Sequence, residues 1–135
     1  MFVTRAGRHD RSDLKQFIES RRGGEVDMAE GTAMIAREGA IIGCIRLIEV
    51  ESGTLVYDDV LVAEGRDETV TKQLIQAAMN NKGGTIFVAV PAAETNLFIE
   101  FGFAPIDPTD APKPVTEYWG SHASEREGLV HLKAR

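Results

Sequence analysis

The stretch Tyr57-Asp58-Asp59-Val60-Leu61-Val62-Ala63-Glu64-Gly65-Arg66-Asp67-Glu68-Thr69-Val70-Thr71-Lys72-Gln73-Leu74-Ile75 decides how this chain is read. Its apolar residues run as a strand through Val60, Leu61 and Val62. They then change to helical spacing at Val70, Leu74, Ala77 and Ala78, with Thr71 and Ile75 one step round. The segment is therefore a strand, a short turn and the first two turns of a helix. A strand that ends at a helix N-terminus presents free backbone N–H groups and the positive end of a helix dipole, a seat for a phosphate or other anion. A plain strand–helix connection with no ligand has the same pattern, so position alone assigns no chemistry.

Working outward toward the N-terminus, Thr54 to Val62, Ala40 to Val50 and Gly31 to Glu38 read as three strands. The short turns Glu51-Ser52-Gly53 and Glu38-Gly39 join them into an antiparallel meander. Before them, Phe2-Val3-Thr4-Arg5 forms a first strand, and Asp10 or Ser12 opens a helix with Leu14, Phe17 and Ile18 on one side. Arg21-Arg22-Gly23-Gly24 ends that helix, with Gly23 in the left-handed position beyond the last turn. Arg11, Lys15, Arg21 and Arg22 resemble an anion patch, although such helix faces are usually only solvated.

Toward the C-terminus the helix from about Asp67 to Asn80 stops at Asn80-Asn81-Lys82-Gly83-Gly84. Thr85 to Val90 is a near-continuous apolar strand, of the kind buried on both faces. Ala92 to Phe101 makes a short helix ended by Gly102, and Phe103 resumes an extended chain. Asp107 to Pro114 holds three prolines and reads as loop. Val115 to Trp119 reads as a strand or a cover over the core, and Gly128 to Lys133 alternates as a terminal strand.

At 135 residues, with 43% hydrophobic and 27% charged residues, the expectation is a single domain spanning 1–135. Fifteen basic against 21 acidic residues give −6, which argues against nucleic acid or an anionic membrane as partner. The single cysteine, Cys44, excludes an internal disulfide, leaves no cysteine-based zinc site, and sits in an apolar run that suits a small buried residue. His9, His122 and His131 lack metal-ligand spacing, so no metal is expected. Met1 to Asp13 has no apolar signal core and no segment approaches a membrane span, so a cytoplasmic protein is the expectation.

This order of elements, with three local matches, resembles the GNAT superfamily of acyl-CoA-dependent N-acyltransferases. Glu38-Gly39-Ala40-Ile41-Ile42-Gly43-Cys44-Ile45-Arg46-Leu47 is similar to the family's turn into its third strand. The opening stretch stands where the family places its acyl-CoA pyrophosphate loop. Leu97-Phe98-Ile99-Glu100-Phe101-Gly102-Phe103 is similar to the end of the family's fourth helix, and Leu129-Val130-His131-Leu132-Lys133 to its last strand. The resemblance implies an α/β (α+β) fold: a mixed, mostly antiparallel sheet of six to seven strands with helices on both faces. It also implies that the family's first two helices are merged into one before Gly23-Gly24, which opens the acceptor side to a small-molecule or peptide amine or to a second subunit.

The site implied by the resemblance is as follows. Asp58 or Asp59 is the base, and Leu61 and Val62 offer backbone groups to pantetheine and the acyl carbonyl. Arg66 and the amides of Asp67, Glu68, Thr69, Val70 and Thr71 hold the pyrophosphate, and Asn96 faces the acetyl-CoA site. The departures are as informative. The family's loop glycines let backbone approach the pyrophosphate, whereas here Asp67 and Glu68 bring two carboxylates to the helix N-terminus. At an effective dielectric near 20, each like charge at about 5 Å costs roughly 3 kcal/mol, less with screening. Phe98 stands at the usual place of a tyrosine acid, and neither Tyr57 nor Tyr118 matches it. Two readings follow: an N-acetyltransferase acting by direct amine attack, or a non-catalytic GNAT-like binding module. Asp58 and Asp59 equally suit a structural pair held by neighbouring side chains. A homodimer paired through the terminal strand and a closed monomeric sheet both remain open.

Overall fold

The computed structural model describes residues 1–28, 31–66, 68–121 and 128–134. Its strands are β1 (Phe2–Arg5), β2 (Thr32–Glu38), β3 (Ala40–Glu51), β4 (Thr54–Val62), β5 (Thr85–Val90), β6 (Phe103–Pro105) and β7 (Val130–Ala134). Its α-helices are α1 (Arg11–Arg22), α2 (Glu68–Asn81), α3 (Thr95–Ile99) and α4 (Lys113–Ser121). The sheet order is β1-β2-β3-β4-β5-β7-β6. Pairs β1–β2, β2–β3, β5–β7 and β6–β7 are antiparallel, and β4–β5 is parallel. The fold is thus mixed α/β with a seven-stranded, mostly antiparallel sheet. The chain divides into two compact units, 1–48 with 58–82 and 49–57 with 83–135, and β3 and β4 each contribute to both.

In the first unit the alternation of strand side chains sends neighbouring residues of β3 to opposite faces. Cys44 is packed in one cluster with Leu14 and Ile18 of α1 and with Ala33 and Ile35 of β2. Gly43 faces α2 instead. A Cβ there would lie 2.9 Å from Leu74 Cδ1 and 3.0 Å from Val70 Cγ1, so only glycine lets α2 approach this closely. The helices therefore cover both faces of this unit's sheet. α2 buries Val70, Thr71, Leu74, Ile75 and Ala78, the one stripe its spacing predicts. α1 ends where Gly23, at φ +78°, sends its N–H back to the Glu19 carbonyl at 2.9 Å.

In the second unit β4 runs parallel to β5 over Thr54–Tyr57 against Thr85–Val88. Phe98 of α3 is fully buried and meets Phe103 edge-on, centroids 5.3 Å apart, and Tyr57 lies 6.3 Å from the same ring. Trp119 of α4 stands edge-on to Phe87 of β5 at 6.2 Å.

Three expectations need correcting. Asp107 to Pro114 is not all loop, and Val115 to Trp119 is not a strand but a helical cover over the core: α4 begins at Lys113 and buries Val115, Tyr118 and Trp119. Pro114 lies in the helix's first turn, where a missing N–H costs nothing, and the Pro112 carbonyl accepts from Val115 and Thr116. Ala92 to Phe101 is not one helix but a 3-10 turn, Ala92–Glu94, followed by α3.

Candidate functional site

Asp59 breaks the regularity of β4. Its φ of +46° lies in the left-handed region, and it is the one non-glycine residue there among the described residues. Aspartate tolerates this conformation because its short polar side chain finds partners locally. Here the conformation is fixed from several sides. Asp58 Oδ1 accepts the Asp59 backbone N–H at 2.8 Å, and the Cys44 thiol donates to the Asp59 carbonyl at 3.3 Å. Arg22 Nη1 donates to Asp59 Oδ1 and Oδ2 at 3.2 and 3.1 Å, and Arg46 Nη1 to Oδ2 at 3.0 Å. Arg46, only 3% exposed, gives Nη2 to the Asp27 carbonyl at 2.9 Å.

Burial, then the nearby charge of Asp58, push the Asp59 carboxyl above the ordinary carboxylate range, while Arg46 and Arg22 pull it back. Asp58 is itself buried, at 6% exposure. Burial also pushes the Cys44 thiol far up, which makes it a packing residue and an inert nucleophile.

The mouth of α2 is the second part of the site. β4 leaves the sheet at Ala63, whose N–H still reaches the Ile42 carbonyl at 2.8 Å, and Gly65 at φ +84° turns the chain into the helix. A recess of about 340 Å³ there is lined by Met1, Glu38, Gly65, Arg66, Thr69 and Val70. Arg66 Nη1 donates to Glu38 Oε1 at 2.8 Å, with both side chains about 40% exposed (39% and 41%). Glu68 is exposed in the first turn, with Lys72 Nζ 3.5 Å away. Asp67 lies outside the described residues, as does His122.

The structure separates the sequence-predicted residues into groups. Arg66, Glu68 and Thr69 stand exposed at the α2 mouth, whereas Val70 and Thr71 turn their side chains into the core and leave only backbone for a ligand. Leu61 and Val62 are half-buried at the end of β4. Asn96 is exposed on α3 in the second unit. In that unit the Tyr57 hydroxyl is buried with no hydrogen-bond partner among the described residues, and burial pushes its phenol far up. The partners the sequence did not reveal are Arg22, Arg46 and Glu38. They lie 37, 13 and 28 residues from the groups they hold, so no local spacing marks them. Among the described residues no group of three His, Cys, Asp or Glu could hold a metal ion. Among the same described residues, no helix is long and apolar enough to cross a membrane.

No protein-family model matches this chain, and no curated protein matches it in sequence. Solved structures do resemble it. Rv2747 of Mycobacterium tuberculosis, solved in complex with CoA, superposes with a TM-score of 0.71 at 18% identity, over 99% of this chain and 98% of that one. An IAA acetyltransferase from Bacillus cereus gives 0.71 at 17% identity, over 98% and 97%. An acetyltransferase of the GNAT family from Staphylococcus aureus gives 0.65 at 15% identity, over 98% and 97%. With the strand order, the β4-to-α2 junction and these likenesses together, the chain has the fold of the GNAT superfamily.

Proposed function

We propose that this chain is an acyl-CoA-dependent N-acyltransferase that moves an acetyl group from acetyl-CoA to a small-molecule or peptide amine by direct attack. The observation that carries this reading is Arg66 at the mouth of α2, bordering a recess where a strand of this fold runs into a helix N-terminus. The residues present fit a pyrophosphate there. The Arg66–Glu38 pair is exposed on both sides, and such pairs are worth ~0–1 kcal/mol, so a phosphate oxygen can displace Glu38. The backbone amides from Asp67 to Thr71 would hold the pyrophosphate beside Arg66, and Leu61 and Val62 would offer their backbone groups to the pantetheine arm.

When bound, acetyl-CoA supplies a thioester carbonyl for the amine to attack. The base that neutralises the incoming ammonium is assigned to Asp58. Geometry precedes pKa in choosing a base, and both oxygens of Asp59 already accept from guanidinium groups. Asp59 is therefore a positioning residue that shapes β4. Phe98 has no proton to give, but a thiolate is a good enough leaving group to depart unprotonated and take its proton from water afterwards.

A second reading, a non-catalytic binding module, is favoured by Glu38 on Arg66 and by Glu68 in the first turn of α2. A thiol-release assay with acetyl-CoA over a panel of amines separates the two. The transferase reading predicts amine-dependent release that falls ~100-fold or more in Asp58→Asn. Release no faster with any amine than without would favour the module.

A further inference from the structure

In a chain of net charge −6, one recess is lined by four arginines, and no carboxylate stands among its described lining residues. Arg5 ends β1, Arg8 lies in the 3-10 turn that follows, and Arg11 opens α1. Arg46 of β3 also lines the recess, with Leu14 and Met28 as apolar walls. Asp10, between Arg8 and Arg11 in the sequence, is buried and already engaged: it accepts the Gly7 N–H at 2.8 Å and Arg37 Nη2 at 2.9 Å. Arg46 is held by Asp59 and the Asp27 carbonyl. Arg5, Arg8 and Arg11, all exposed, are left to face a ligand.

We propose that this recess binds an oxyanion, the carboxylate or phosphate of a small ligand, and that the ligand is the acceptor amine. Guanidinium forks match both anions with paired N–H donors. The volume of about 260 Å³ falls just under the ~300–1,000 Å³ of pockets for drug-sized ligands, so it suits a molecule of amino-acid size. Arg46 joins the recess to the β4 site, since its Nη1 lies 3.0 Å from Asp59, the neighbour of Asp58. That the ligand is the acceptor rests on the transferase reading. That the recess binds an anion does not.

Calorimetry on the full chain tests this with three amines: L-glutamate, phosphoethanolamine and ethanolamine. The expected result is that at least one of the two acids binds ten-fold or more tightly than ethanolamine, and which one does identifies the anion. Arg5→Ala with Arg8→Ala should weaken that binding ten-fold or more and leave acetyl-CoA affinity unchanged. Arg21→Ala, an equal loss of charge on α1 outside the recess, should leave acid binding as it was. Acids binding no better than ethanolamine, an Arg5/Arg8 double variant that binds like the wild type, or an equal loss in Arg21→Ala would each overturn the proposal. If the acids bind as expected and acetyl-CoA does not, the anion site stands and the transferase reading falls.

Discussion

Asp59 holds two arginines with one carboxylate while its own backbone is turned out of the strand conformation. Removing one partner of a buried ion pair leaves the others uncompensated, at a cost of about 3–5 kcal/mol. Asp59→Asn keeps the shape and the tolerance for positive φ but loses the charge. We expect it to lower unfolding stability by that amount, measured by urea denaturation. A change under 1 kcal/mol would mean that Arg22 and Arg46 find other partners. Asp58→Asn should instead show its main effect in turnover. The sequence presented Asp58 and Asp59 as an undivided pair. The hold of Arg22 of α1 and Arg46 of β3 on Asp59 is a contact that no reading of neighbours along the chain could supply. The arginine recess was hidden for the same reason. Arg11 was visible as part of a helix-face patch, yet Arg22 of that patch goes to Asp59 and Lys15 to Glu19, while Arg5, Arg8 and Arg46 come from other elements.

The junction of β4 and α2 depends on how closely the helix lies against the sheet. Gly43 sets that distance. Gly43→Val puts branched carbons where Leu74 and Val70 already stand, and overpacking of this kind costs about 1–3 kcal/mol. Thermal unfolding should show it, and an unchanged midpoint would mean that α2 can slide outward freely. The α2 mouth gives a second prediction. Glu38 competes with any anion for Arg66, so Glu38→Gln should tighten acetyl-CoA binding by ~2- to 5-fold, the scale of an exposed pair. Weaker binding in that variant would assign Glu38 a supporting role. At this scale the sequence was mostly legible, because strands β1 to β5 and helices α1 and α2 carry clean periodicities and glycine stops. α4 was not, because Pro112 and Pro114 beside Asp110 signal a turn as well as they signal a helix start. The outcome is set by Val115, Tyr118 and Trp119 finding the core.

For the whole molecule, the order of elements carried the fold, and solved structures at 15–18% identity share it nearly end to end. Chemistry did not follow so directly. The fold places a recess where β4 runs into α2, and the residues there are an Arg66 already paired, an acidic first turn and no loop glycine after Gly65. A fold fixes where backbone amides point, and side chains then decide whether a diphosphate is welcome. The central claim is therefore that Arg66 and the α2 N-terminus still bind an acyl-CoA. Isothermal titration calorimetry of acetyl-CoA into the wild-type chain and into Arg66→Ala tests it directly. The account predicts a dissociation constant below millimolar that weakens about ten-fold without the guanidinium, as for the loss of a charged hydrogen bond of ~1.5 kcal/mol. No heat up to millimolar acetyl-CoA, with Arg66→Ala indistinguishable from the wild type, would contradict it.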